Sequence, residues 1–169
     1  MQGHEYYAHA FYQVANDKLA SYLELRKVSA LFEAYPKLMS TLLFDASKIS
    51  DLETWFFEDV SNETATFIKI LIEDGIIDQI IRIEKLVCDL LIKDELWTNC
   101  LVEVAQDIST ETYEKIQEMV KKNYKGFIEF NLVKNTNLKA GYRLFINDSV
   151  LDMSVSGRLN RLVEEVNNG

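Results

Sequence analysis

The fold of this chain is decided by the stretch LVEVAQDISTETYEKIQEMVKKNYKGFIEFNLV, residues 101–133. Its two ends, 101–105 and 127–133, alternate apolar and polar residues, which is the period of a half-buried strand. The residues between them predict an amphipathic helix with Ser109 as its N-cap and lysines close to its end. A further alternating run, YRLFIN at 142–147, predicts another strand. This part of the chain is therefore expected to form a small α+β domain.

The residues before this stretch predict helices instead. The whole chain has one proline and six glycines, so few residues interrupt a helix. A capping box formed by Ser50 and Glu53 predicts one helix start, and Pro36 is expected to end the helix before it. The expected helices cover about 4–20, 22–35, 37–44, 51–59, 62–73 and 76–97.

Together these patterns predict an α+β protein with two domains. An all-α six-helix bundle is expected over 1–104, followed by a small α+β domain over 105–169. The boundary is placed near 98–106, where the helical period gives way to alternation.

Charge and composition exclude several functional classes. The chain of 169 residues has a formal net charge of -9, whereas phosphate binding requires clustered lysine and arginine, so nucleic acid is not expected as a partner. A purely electrostatic membrane anchor is disfavoured for the same reason. No apolar run is long enough to span a bilayer, and no signal peptide is visible.

The residues that usually carry catalysis or bind metals are few. His4 and His9 are the only histidines. Residues that lie five apart on a helix are poorly placed to act as two ligands of one metal ion. Cys88 and Cys100 form no CxxC pair and have no nearby histidine, so they are interpreted as structural thiols in a reducing compartment. No phosphate loop is present. Neither a catalytic site nor a metal or cofactor is expected.

Two of the expected helices have wider apolar surfaces than a bundle requires. The first helix has two adjacent stripes that span roughly 200°, against roughly 100° for an ordinary surface helix. The helix at 62–73 is similar. Either both helices lie centrally in the bundle, or each shares one stripe with a partner's amphipathic helix in a groove; the sequence leaves both open. The stripes that would form the groove consist of Tyr7, Ala10, Phe11 and Val14 with Phe67, Ile70 and Leu71.

The C-terminal sequence resembles that of a known family. The segment NTNLKAGYRLFINDSVLDMSVSGRLNRL, 135–162, resembles the C-terminal signature of the δ subunit of F-type ATP synthases, which is related to the mitochondrial oligomycin-sensitivity-conferring protein. It departs from the family pattern at Thr136, Ala140 and Asn147. The matching positions are Leu138, Gly141, Asp148, Asp152, Ser154, Val155, Gly157, Arg158, Leu159 and Leu162.

Three segments nearer the N-terminus are also similar to the family. They are YAHAFYQVA at 7–15, AYPKLMSTLL at 34–43 and FIKILIEDGIIDQI at 67–80. In the last of these, Ile76 replaces the usual arginine. The resemblance thus covers nearly the whole chain, in the same order and spacing.

The resemblance implies a non-catalytic stator subunit of a rotary ATP synthase. In such a subunit the six-helix domain binds the N-terminal helix of an α subunit, in a groove between its first and fifth helices, with the β subunit as a further neighbour. The C-terminal domain meets the b-type peripheral stalk. One copy per complex is implied, at the cytoplasmic face of a bacterial membrane and held there only through the complex. The alternatives are a helical adaptor in another complex and an enzyme whose site is not visible.

The resemblance also implies an architectural role for a set that we call the signature joint. Asp152 and Ser154 are expected to order the junction between strand and helix by bonding backbone N–H groups, and Gly157 is expected to permit close packing. Arg158 and Arg161 face either an acidic stalk surface or solvent. The signature joint comprises Gly141, Asp148, Asp152, Ser154, Gly157, Arg158, Leu159 and Leu162.

Overall fold

Among the described residues, the first part of the chain is helical and all the strands lie in the second part, as the sequence predicts. The computed structural model describes residues 3–49, 59–155 and 157. The chain divides between Lys93 and Asp94 into two units, the first helical and the second with a four-stranded sheet. The α+β class is therefore confirmed.

The described part of the first unit contains five α-helices and two short 3₁₀ turns. The turns are Ala46–Lys48 and Ile77–Gln79. The helices are α1 (Gly3–Val14), α2 (Lys18–Ala34), α3 (Pro36–Phe44), α4 (Asn62–Glu73) and α5 (Ile80–Lys93). The predicted helix at 51–59 and its capping box at Ser50 and Glu53 lie outside the described residues, apart from residue 59.

Local side-chain chemistry sets several helix ends. The Asp17 carboxylate accepts a hydrogen bond from the Ala20 N–H at 3.0 Å and so caps α2. Because Asp17 starts a new helix, the prediction of one helix over 4–20 is wrong. Pro36 occupies the first turn of α3, and α2 ends just before it, as predicted.

The core of the first unit is centred on α5. Its buried face consists of Ile80, Ile83, Val87 and Leu91, at the spacing of one helical stripe, and it packs against both α1 and α2. Burying each of these side chains contributes about 1.5–3 kcal/mol. The predicted helix over 76–97 is too long at both ends, since a 3₁₀ turn precedes α5 and Trp97 begins a strand.

The second unit is a four-stranded sheet with one crossover helix. The elements are β1 (Trp97–Val104), α6 (Thr110–Asn123), β2 (Phe127–Lys134), β3 (Tyr142–Ile146) and β4 (Ser149–Asp152). Strands β1 and β2 are parallel, and the other neighbouring pairs are antiparallel. The order across the sheet is β2-β1-β3-β4.

Helix α6 covers one face of this sheet. Ser109 caps it by accepting a hydrogen bond from the Thr112 N–H at 3.2 Å, as predicted. The shared core consists of Cys100, Val102, Val104, Ile116, Val120, Leu144 and Ile146. Cys100 is thus a structural thiol, and burial raises its pKa to about 11.

The position of β1 corrects the predicted domain boundary. The boundary lies between Lys93 and Asp94 rather than between residues 104 and 105. The reason is that β1 pairs with β2 on one side and with β3 on the other, so the sheet cannot form without it. Among the described helices, none is both long enough and apolar enough to cross a membrane.

Candidate functional site

A surface cavity of about 440 Å³ opens in the first unit between α1 and α4. We call it the α1–α4 cavity. Helix α4 corresponds to the fifth of the six helices that the sequence predicts. Alanine, serine and threonine make up four of the ten residues that line the cavity. The residues that line it are Ala10, Phe11, Val14, Ala15, Ser21, Asn62, Glu63, Thr66, Phe67 and Ile70.

The floor and the rim of the cavity are both apolar. On the floor, the Phe11 and Phe67 rings lie 4.5 Å apart between centroids and are tilted by 38°. Such an aromatic pair contributes about 0.5–1.5 kcal/mol beyond its burial. On the rim, Val14 is 72% exposed and Ile70 is 41% exposed. Exposed apolar side chains around a cavity are typical of a binding surface.

Hydrogen bonds at both ends hold α1 against α4. Beyond the C-terminal end of α1, the Asn16 amide donates to the Glu63 carboxylate in the first turn of α4. At the other end, the Tyr7 hydroxyl donates to Asp74 Oδ2 at 2.6 Å, and this bond raises the pKa of Tyr7. The two helices therefore run antiparallel, and a side-chain hydrogen bond joins them at each end.

The N-terminus of α4 is also tied to α2. The Ser61 hydroxyl caps α4 by accepting from the Thr64 N–H at 3.3 Å, and it donates to Glu24 Oε2 at 2.6 Å. The Ser61 N–H donates to the same oxygen at 3.1 Å. A serine and a glutamate thus place the start of α4 where Asn62 and Glu63 border the cavity.

Five of the seven residues that the sequence suggests for a groove line this cavity. They are Ala10, Phe11, Val14, Phe67 and Ile70. Tyr7 does not line it but makes the bond to Asp74 at one end. Leu71 does not reach it, because it is fully buried.

The second stripe on each helix faces the core. On α1, Ala8 and Tyr12 are buried, and on α4, Ile68 and Ile72 are buried. The wide apolar arcs therefore serve core and cavity together. Sequence reasoning missed Ser21, Asn62, Glu63 and Thr66 as cavity residues, since polar side chains give no periodic signal. It also did not include Ala15.

The signature joint has a different, polar geometry. Arg143 donates to Asp152 Oδ2 through Nη2 at 2.9 Å and through Nε at 3.2 Å. Asp152 Oδ1 accepts from the Ser154 N–H at 2.9 Å, and Ser154 Oγ accepts from the Gly157 N–H at 3.1 Å. The bonds from Ser154 and then the Arg143 guanidinium lower the pKa of Asp152 to about 2. The structure thus shows the predicted bonds from side chains to backbone N–H groups.

Two glycines of the joint permit close approach. A Cβ on Gly157 would lie 2.6 Å from Asp152 Cγ, and a Cβ on Gly141, at φ +86, would lie 2.6 Å from the Met153 carbonyl oxygen. Asn147, next to Asp148 in the turn from β3 to β4, has φ 49, a left-handed conformation that asparagine tolerates in turns. The remaining joint residues Arg158, Leu159 and Leu162, together with Arg161, lie outside the described residues.

No metal centre accompanies these features in the described ranges 3–49, 59–155 and 157, where no group of three or more histidine, cysteine or acidic side chains could hold an ion. The α1–α4 cavity itself has an apolar floor, an apolar rim and polar groups at its borders.

Comparison with known proteins identifies the family. A sequence profile described as "ATP synthase delta (OSCP) subunit" matches residues 4–166. The chain is similar to "ATP synthase subunit delta" of Natranaerobius thermophilus, with 25% identity over 166 residues that cover 95% of this chain and 93% of the relative. The subunit of the same name from Shewanella loihica is 26% identical over 166 residues, with the same coverage.

A plastid relative and a solved structure agree. The "ATP synthase subunit delta, chloroplastic" of Cyanidium caldarium is 24% identical over 163 residues, which cover 90% of this chain and 88% of the relative. A chain in the cryo-EM structure of the Toxoplasma gondii mitochondrial ATP synthase hexamer superposes with a TM-score of 0.68. It shares 16% identity and 98% of each chain is covered, so it supports the fold. Subunits of this family are structural components of the peripheral stalk and are not catalysts. The chain therefore belongs to the ATP synthase delta (OSCP) subunit family.

Proposed function

We propose that this chain links the catalytic head of a rotary F-type ATP synthase to its b-type stalk, and that the α1–α4 cavity receives the N-terminal helix of an α subunit. The observation that carries the proposal is the pairing of an apolar floor with exposed apolar rims at Val14 and Ile70. A β subunit is the further neighbour on the head. One copy acts in each complex, at the cytoplasmic face of a bacterial membrane.

An amphipathic helix suits the shape and chemistry of the cavity. The ligand would place apolar side chains at spacings of three and four residues onto the Phe11 and Phe67 rings. Ala10 and Thr66 are small enough to let its backbone approach. Glu63 borders the cavity and favours a positively charged or hydrogen-bond-donating group at that end of the ligand.

The mechanical task explains why a non-catalytic subunit needs two binding surfaces. Rotation of a central stalk would drag the catalytic head round unless a stator held it. The first unit would grip the head, and the second unit, with the signature joint, would meet the stalk. Two modest interfaces on one chain raise each other's effective concentration, so neither has to bind tightly by itself.

The proposal is tested by titration calorimetry of the full chain with a peptide of the α subunit's N-terminal ~20 residues, long enough for a helix of about 30 Å. We expect saturable one-to-one binding with a negative change in heat capacity, because apolar surface is buried. Ala10→Trp should abolish binding, since the indole would project into the cavity where the ligand backbone has to approach.

Ala30→Trp is the matched control, because Ala30 lies on the exposed face of α2. It should bind as the unchanged chain does, and both variants should keep their far-ultraviolet circular dichroism. Binding by Ala10→Trp that equals the control would remove the α1–α4 cavity as the docking site. If the peptide does not bind but an amphipathic helix of another complex does, the helical adaptor becomes the better reading.

A further inference from the structure

Strand β2 forms one edge of the sheet in the second unit. Within the described ranges no strand pairs with its outer side, although its eight residues make it as long as β1. Unpaired backbone groups along a strand of this length are able to template the addition of another strand.

The hydrogen bonds to β1 show which backbone groups point outward. The Phe127 N–H donates to the Leu96 carbonyl at 3.0 Å, and the Asn135 N–H donates to the Val104 carbonyl at 2.9 Å. The odd-numbered residues of β2 therefore face β1. Since the direction of the backbone groups alternates along a strand, the N–H and C=O groups that face outward belong to Ile128, Phe130, Leu132 and Lys134.

Apolar side chains on both faces of β2 remain exposed. Phe127 is 44% exposed, Leu132 is 47% exposed and Val133 is 41% exposed. Leu132 and Val133 are neighbours in the strand and so project to opposite faces. An added strand would find apolar contacts on either side of the sheet.

The charge around β2 is opposite to that of the protein as a whole. Residues 121–139 contain five lysines and one acidic residue, a net charge of +4 in a chain of -9. Lys125 lies two residues before the strand, and Lys134 is its last residue. Lys121 Nζ lies 6.0 Å from the centroid of the Phe130 ring. Lys125 and Lys121 therefore place positive charge before the strand and over its middle, whereas Lys134 at the far end has an acidic partner.

Protection of the edge strand against pairing does not account for the lysines around β2. Protective lysines stand on the edge strand itself, whereas on β2 only Lys134 does so, and its Nζ pairs with Asp107 at 3.2 Å. A second copy of the chain, added edge to edge, would bring like charges together, which is unfavourable. The charge therefore favours an acidic partner.

We propose that the outer edge of β2 binds an extended, acidic segment of another protein by strand addition. Backbone bonds to Ile128, Phe130, Leu132 and Lys134 hold the segment, and the lysines select its charge. This goes beyond the proposed function, because it assigns a surface and a binding mode to the second unit. It does not depend on the α1–α4 cavity.

The test uses the ¹⁵N-labelled full chain and a synthetic peptide of about ten residues that alternate valine and glutamate, as strand addition requires. A peptide in which lysine replaces glutamate is the matched probe. We expect the acidic peptide alone to shift the amide signals of the four outward residues. At a tenfold excess over its Kd it should slow their hydrogen exchange by about tenfold.

A substitution at the edge sharpens the test. Leu132→Pro removes one outward N–H but none that bonds β1, so the edge should tolerate it, and the protection should be lost. Leu132→Thr keeps the N–H and should retain it. If Leu132→Pro does not fold, the double change of Lys121 and Lys125 to glutamate should abolish the shifts instead.

Four results would overturn the proposal. The first is that the acidic peptide leaves the β2 amide signals unmoved or moves only those around the α1–α4 cavity, and the second is that the lysine peptide binds equally well. The third is that the shifts depend on protein concentration without peptide, which would indicate a second copy of the chain. The fourth is that single-stranded oligouridine produces the same shifts. The assignment of the α1–α4 cavity is tested independently, by titration with the α-subunit peptide.

Discussion

The α1–α4 cavity and the signature joint satisfy their chemical groups in opposite ways. At the cavity, Val14 and Ile70 leave apolar surface in contact with solvent. At the joint, Asp152 and Ser154 find hydrogen-bond partners within their own unit. Exposed apolar surface stabilises nothing until a partner covers it, whereas a satisfied polar network stabilises the fold that contains it. This difference is the reason why we propose the cavity as a docking surface and the joint as an architectural element.

The largest effect that this comparison predicts lies in the joint. Gly141→Ala should lower the free energy of unfolding by about 2–4 kcal/mol, because the new Cβ meets the Met153 carbonyl and the backbone has a positive φ. Gly75→Ala is the control, since Gly75 also has a positive φ but open space around it. It should cost only about 1–2 kcal/mol. Urea denaturation measures both, and equal losses would show that the close approach at Gly141 is not a constraint.

The next effect lies at the rim of the cavity and concerns binding alone. Val14→Ser should weaken binding of the α-subunit peptide by about tenfold, since about 1.4 kcal/mol of apolar contact is lost. Its stability should change by less than about 0.5 kcal/mol, because the side chain is 72% exposed. Calorimetry and urea denaturation measure the two quantities. The control is Val155→Ser, at an exposed valine of the second unit, which should alter neither binding nor stability. If Val14→Ser lost stability in parallel with binding, Val14 would belong to the core instead.

The smallest effect is a dependence of stability on pH at the joint. The pKa of Asp152 is lowered to about 2 in the folded chain, so its contribution is present above the unfolded pKa of about 3.9 and is lost as the pH falls towards 2. Its side chain is 32% exposed, and with solvent screening we expect about 1 kcal/mol. The difference in unfolding free energy between the unchanged chain and Asp152→Asn, measured from pH 6 to pH 2, should therefore shrink below about pH 4. A difference that stays constant would show that the Asp152 charge contributes nothing.

Much of the fold could be predicted because its signals are local. Ser109 caps α6, Pro36 separates α2 from α3, and the strands from Phe127 and Tyr142 begin where alternation begins. Asp17 was missed because Ala15 and Leu19 continue the helical period across the break. The start of β1 was missed because Trp97 and Thr98 are both buried, so alternation is hidden there.

The site was only partly predictable, for a related reason. Periodicity places Phe11 and Phe67 on suitable stripes, but it does not give depth, so Leu71 was included although it is fully buried. The bond between Asn16 and Glu63 joins residues 47 positions apart. Contacts of this kind arise only when the helices pack, and no short-range pattern encodes them.

The division between Lys93 and Asp94 has a consequence for the order of events while the protein is synthesised. The second unit comprises residues 94–169, and at about 5–20 residues per second its synthesis takes about 4–15 s. The residues of the first unit are therefore joined and able to pack while the ribosome is still translating the sheet. The α1–α4 cavity can therefore begin to form before either neighbouring strand of β1 has been synthesised.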